Sequence, residues 1–283
     1  MLEMILSPRK AEKYSWGMFL IGLFYSALSV LLVRFFFARD MVMAKHMGIL
    51  IVTFTVMFCI PFVYFLFKVE ERKDLVYKGI FRVFKSHKKG VIALMFLFIG
   101  LLIGYSIMYI GLDKQNFAAQ IETYCSINRP SNFDSCVNQY VFENSKITGN
   151  FASADRFLAI FSNNVYVLIF TIVFSLIFGA GGIFILAWNA SVIAAAIGIY
   201  TKSQLNQLFI GLSRYMIHGI PEIAAYFLGL VAGGILSVAI IRGDYKGDKF
   251  WDIIQDVLNL VIAAVIILVI AGVIEVYITP ILF

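Results

Sequence analysis

The apolar residues of this chain arrive in unbroken runs of about twenty, each long enough as a helix to cross a bilayer core of about 30 Å. A helix on the surface of a water-soluble domain keeps a polar side. Stretches 16–38 and 91–112 keep no continuous one. Apolar residues make up 61% of the chain, against roughly 45–50% in soluble domains, and mean hydropathy is +0.90. Lipid is therefore the main solvent. A backbone in lipid must satisfy its own N–H and C=O groups, which a helix does within one segment. The fold class that follows is all-α: a polytopic transmembrane helical bundle.

The runs predict seven spans, at about 16–38, 47–67, 91–112, 157–178, 183–201, 219–241 and 255–278. Pro61 falls inside the second and is tolerated there as a kink. The fourth and fifth spans form one long apolar stretch, divided at Gly179-Ala180-Gly181-Gly182. A single bent helix or a re-entrant pair over 157–201 would also fit. Residues 202–217 predict one short amphipathic or re-entrant helix, because Leu205, Leu208, Phe209, Leu212 and Met216 share a helical face. Gly219 and Pro221 then suit the start of the sixth span or a broken helix. Small residues at Gly100 and Gly104, and at Gly229 and Gly233, mark faces where another helix can approach.

Charge sets the expected topology. The connector 68–90 carries Lys68, Arg72, Lys73, Lys78, Arg82, Lys85, Lys88 and Lys89, whereas loop 113–157 carries only Lys114, Arg129, Lys146 and Arg156. The positive-inside rule puts the connector and the N-terminus in the cytoplasm and the loop outside it, in a multi-pass cell-membrane protein. Within the connector, Leu75, Val76, Ile80, Val83 and Phe84 recur at helical spacing between cations, the pattern of an amphipathic helix on anionic lipid. A soluble helix docked on its own protein would read the same way. The net charge of +6 thus points to membrane lipids as partners and not to nucleic acid. Arg9, Lys10 and Lys13 precede the first span, which is too long for a signal-peptide core, so a retained span is expected.

Cys59 lies in an apolar run and reads as a packing residue, while Cys125 and Cys136 share the external loop. A disulfide between them would staple that loop on an oxidising side; two free thiols is the alternative.

Polar groups inside spans need partners. Glu222 lies near the start of the sixth span, and His218 precedes it by four residues, on the same helical face. The pair could lock a helix end, bind a proton or cation on a transport path, or face a partner membrane protein. Asn163, Asn164, Asn189 and Glu275 are further polar positions, and with His218 and Glu222 they could form a seam through the bundle. One histidine and one glutamate fall short of a metal site. No catalytic motif is present, so neither an enzyme nor a cofactor is expected.

The order of these features resembles the stage II sporulation protein M family over about residues 90–283. The resemblance rests on Asn163-Asn164, the Gly-rich middle, Asn189, His218-Gly219-Ile220-Pro221-Glu222, and Ile274-Glu275-Val276-Tyr277-Ile278-Thr279-Pro280. It implies a five-span core at 91–283 with external loop 113–157. Residues 1–90 then form an addition of two spans and the basic connector. It also implies a non-enzymatic scaffold or organiser, since the family's namesake recruits and holds peptidoglycan-degrading enzymes during engulfment. His218, Glu222, Asn189 and Glu275 carry the match, with Asn163 and Asn164, as the implied shared binding or structural site. Partner membrane or extracytoplasmic proteins are expected to dock through the loop and the faces bearing Gly229 and Gly233; a homo-oligomer is compatible. The alternative is a transporter or channel for a small solute or ion, with Glu222 and His218 in the pathway.

Overall fold

The structure, a computed structural model, describes residues 16–40, 42–74, 80–112, 114–129, 132–141, 153–201, 204–243 and 249–282. Every regular element among them is helical. Seven helices are long and apolar enough to cross a bilayer. They are α1 (Trp16–Phe37), α2 (Met47–Asp74) and α3 (Ile80–Gly111), then α6 (Ser153–Phe178), α7 (Ile183–Tyr200), α8 (Leu208–Arg242) and α9 (Lys249–Val273). Between α3 and α6 lie two short helices, α4 (Ala118–Asn128) and α5 (Phe133–Val141). After α9 the chain widens into a π turn over Ile274–Ile278 and ends in α10 (Thr279–Leu282). The chain is therefore an all-α polytopic bundle.

Contacts fix the directions of the helices. In α1 and α3, Gly22 meets Leu97 and Leu101, Gly100 meets Phe19 and Leu23, and Gly104 meets Ser26, so the two run parallel. In α6 and α8, Leu168 meets Gly229 and Ile172 meets Gly233, so these also run parallel. Tyr109 at the end of α3 lies against Gly198 at the end of α7. Loop segment α4–α5 therefore leaves and re-enters the bundle at one end, called here the loop end. The 3-10 turn Gly179–Gly182 reverses the chain between α6 and α7, which makes 157–201 two crossings and not one bent helix.

Two expectations are corrected. Residues 202–217 do not form a separate amphipathic or re-entrant helix: α8 runs unbroken from Leu208 to Arg242 through His218, Gly219 and Pro221. Pro221 removes one backbone donor, but in lipid a helix keeps its remaining bonds because no water competes for them. Second, Gly229 and Gly233 are not open docking faces; both are buried under α6, where Leu168 and Ile172 fill the space a side chain would need. In the connector, the backbone from Ile80 onward already belongs to α3. Its expected amphipathic face lies outside the described residues at 75–79 and outside the described side chains up to 88, as do Arg9, Lys10, Lys13 and Lys146.

The first two helices share one apolar core with the rest. Tyr105 of α3 donates its hydroxyl to Thr55 of α2 at 2.7 Å. Between α1 and α2, Asp40 Oδ1 accepts the backbone N–H groups of Met43 (2.8 Å) and Val42 (2.9 Å). Those two bonds hold its carboxyl below the usual carboxylate range. At the root of the loop, buried Gln120 donates through Nε2 to the Gly48 carbonyl at 2.8 Å and to Ser191 Oγ at 3.2 Å. The start of α4 is thus a wedge between α2 and α7.

A side chain at Gly100 would collide with the backbone of Phe19, whereas one at Gly111 meets nothing within 4 Å. Gly100→Leu is expected to destabilise the folded protein by about 1–3 kcal/mol through overpacking, with Gly111→Ala close to neutral. Thermal unfolding of purified protein in detergent checks this; equal melting temperatures for the two variants would exclude the close α1–α3 contact.

Candidate functional site

Close packing builds the site. Because Gly229 and Gly233 carry no side chain, α6 sits against α8 at near-backbone distance. One to two turns toward the loop end, that approach brings Asn164 onto Glu222. Asn164 Nδ2 donates to Glu222 Oε1 at 2.7 Å, and Tyr226 donates its hydroxyl to Asn164 Oδ1 at 2.9 Å. Glu222 and Tyr226 are four residues apart on α8, so one asparagine on α6 spans both. Its amide both donates and accepts, which fixes its orientation. All three side chains are buried.

Four residues toward the start of α8, His218 faces the C-terminal segment. Its Nδ1 lies 3.3 Å from Thr279 Oγ1. Thr279 already donates its one hydroxyl hydrogen to the Ile274 carbonyl at 3.1 Å. With its hydroxyl so placed, the threonine oxygen can accept from a ring protonated at Nδ1. The π turn has a local cause. Pro280 has no N–H for the Val276 carbonyl and its ring crowds that carbonyl, so the preceding turn widens. Widening places Glu275 beside the histidine layer, close enough to Glu222 for their charges to interact.

Above this layer a cavity of about 280 Å³ opens at the loop end, lined by His218, Glu275, Thr279 and Pro280 below, and by Ile199, Tyr200, Arg214 and Tyr215 at its side. Tyr124, Arg129 and Tyr140 close it from the loop. Cys125 and Cys136 are joined by a disulfide, one residue after Tyr124 and four before Tyr140, so the bridge holds α4 to α5 at the cavity roof. Roof and side are aromatic and cationic: Arg129 lies over the Tyr140 ring at 5.8 Å and Arg214 over Tyr200 at 4.8 Å. Tyr215 packs edge-on to Tyr200 and hydrogen-bonds to Tyr124. Glu222 does not line the cavity; it is 9% exposed and held by Asn164 beneath the floor.

Of the six polar positions singled out in the sequence, the structure gathers Asn164, His218, Glu222 and Glu275. Asn163 is half-buried and makes none of these bonds. Asn189 donates to the Ile185 carbonyl of its own helix at 2.8 Å and does not join the cluster. Sequence reasoning missed Tyr226, although it lies one turn beyond Glu222, and missed the cavity's tyrosines and arginines. Among the described residues, no group of three His, Cys, Asp or Glu side chains is placed to hold a metal ion.

Fold and site together define a multi-pass membrane protein with a buried carboxylate–amide–tyrosine network under a capped cavity. A family model described as stage II sporulation protein M matches residues 92–280. The chain belongs to that family. Comparisons with curated proteins and with solved structures found no match.

Glu222→Ala leaves the Asn164 amide buried without its acceptor and is expected to lower stability by about 2–3 kcal/mol, with Tyr226→Phe costing about 1 kcal/mol. Chemical or thermal unfolding in detergent reads both; an unchanged Glu222→Ala protein would refute a structural role for the network. Cys125 and Cys136 should resist a thiol reagent until reduced, and the double serine variant should lose about 2–4 kcal/mol. Labelling of either cysteine without reduction would contradict the bridge.

Proposed function

We propose that this protein is a non-enzymatic scaffold or organiser of the cell membrane, which holds partner membrane or extracytoplasmic proteins through its loop end. In this reading the N-terminus and basic connector face the cytoplasm and the loop faces away from it. The observation that supports the reading is the burial of Glu222 away from the cavity. A carboxylate that couples transport must be reached by water or ion. Here His218 and Glu275 line the cavity and Glu222 does not; its carboxyl accepts from Asn164, which Tyr226 holds in turn. The stapled helices fit a docking role. They are braced against the bundle by Gln120, and α5 presents Phe133, Asp134 and Asn138 outward.

The transporter reading draws on one feature, the irregular backbone at Pro221 and at the π turn beside the two carboxylates. It requires a path for water or an ion to Glu222.

Crosslinking pull-down from native membranes tests the scaffold reading. Replacing Phe133, Asp134 and Asn138 by serine, alanine and alanine spares the disulfide and the buried wedge. The expected result is a specific crosslinked partner that is lost in this variant at unchanged melting temperature. Absence of any partner, together with Glu222-dependent solute flux in reconstituted vesicles, would overturn the proposal in favour of transport.

A further inference from the structure

We propose that the cavity at the loop end is a binding site for a glycerol phosphodiester anion, the chemistry shared by an anionic lipid headgroup and its free headgroup ester. This goes beyond the scaffold reading and does not rest on it.

The charges in the cavity favour an anion. Two guanidinium groups, Arg129 and Arg214, face one carboxylate, Glu275. Arg214 is half-buried, and it is the one cation between Leu208 and Ile217. Its guanidinium lies against the Tyr200 ring at 4.8 Å, and among the described residues it makes no ion pair. Stacking on an aromatic face orients an arginine while leaving its in-plane N–H donors available, and those donors match the oxygens of a phosphate in a fork. Arg129 lies over the Tyr140 ring at 5.8 Å, so a second guanidinium flanks the same cavity.

The volume, about 280 Å³, is several times the ~30 Å³ one water occupies. That is enough for a small polar head.

The surroundings favour an amphiphile as the source. The cavity lies where the apolar helices end. Next to it, Tyr277, Ile278 and Ile281 of the C-terminal segment are exposed, with Ile281 at 83%. An acyl chain could lie along this strip while the phosphodiester enters between Arg214 and Arg129.

The test uses full-length protein in detergent, stripped of lipid, with phosphatidylglycerol retention read by native mass spectrometry. Wild type is expected to retain one tightly held lipid. Arg214→Gln should weaken that retention at least about tenfold, the factor expected when a charge-assisted contact is lost. Arg214→Lys should fall between, since lysine keeps the charge but not the stacked fork. Lys88→Gln/Lys89→Gln in the connector should leave the tight site unchanged, which separates it from general attraction to basic residues. Competition by soluble glycerophosphoglycerol identifies a site that reads the free ester as well; no competition identifies the lipid as the source. Melting temperature controls for folding. No tightly held lipid or ester on wild type overturns the proposal. So does equal retention by a folded Arg214→Gln protein. Neither result bears on the pull-down with the α5 surface variant.

Discussion

The approach of α6 to α8 governs everything at the loop end. Lipid offers helices no hydrophobic reason to associate, so the contact must come from close backbone packing and from polar groups that find each other. Gly229 and Gly233 supply the first and Asn164 the second. The two depend on each other. A bulkier face on α8 would lift Asn164 off Glu222 and leave a carboxyl and an amide facing hydrocarbon. The same logic operates between α1 and α3, where Gly22 and Gly100 each meet the partner helix's backbone and Gly104 meets the small side chain of Ser26. Both are parallel pairs, so each is closed by a helix that must first cross back.

On this frame the chain places its irregular backbone in one layer. Pro221 sits one residue from Glu222, and the Pro280-induced π turn presents Glu275 and Thr279 to His218. The layer separates a lower part, the buried Glu222–Asn164–Tyr226 network, from an upper part, the cavity. The lower part resembles a lock between helices. The upper one, roofed by disulfide-joined helices and lined with tyrosine and arginine, has the composition of a recognition surface.

Much of the architecture was legible because lipid imposes a coarse rule: a span needs about twenty apolar residues, and these were countable. The reversal at Gly179–Gly182 could be read because three glycines cluster near the middle of an apolar stretch too long for one span. What stayed hidden has physical reasons. Pro221 reads as a helix start in water, where freed carbonyls compete for solvent, yet α8 passes through it. Asn163 and Asn164 are adjacent, and the roughly 100° turn between neighbours on a helix decides which one meets Glu222; only the packing of α6 settles that. Tyr226 looked like one more aromatic in an apolar run. Arg129, Tyr140 and Arg214 come from three elements with no common period, so no local pattern could bring them together.

Gln120 gives the loop a mechanical character. Its amide is tied at once to Gly48 in the N-terminal hairpin and to Ser191 in the family-matched region, while Phe117 and Ile121 on either side are fully buried. The stapled helices are therefore rooted in the bundle and not hinged on it. A pulling load applied to α5 would pass into α2 and α7 together. Anything tethered there would share the lateral drift and tilt of the whole molecule.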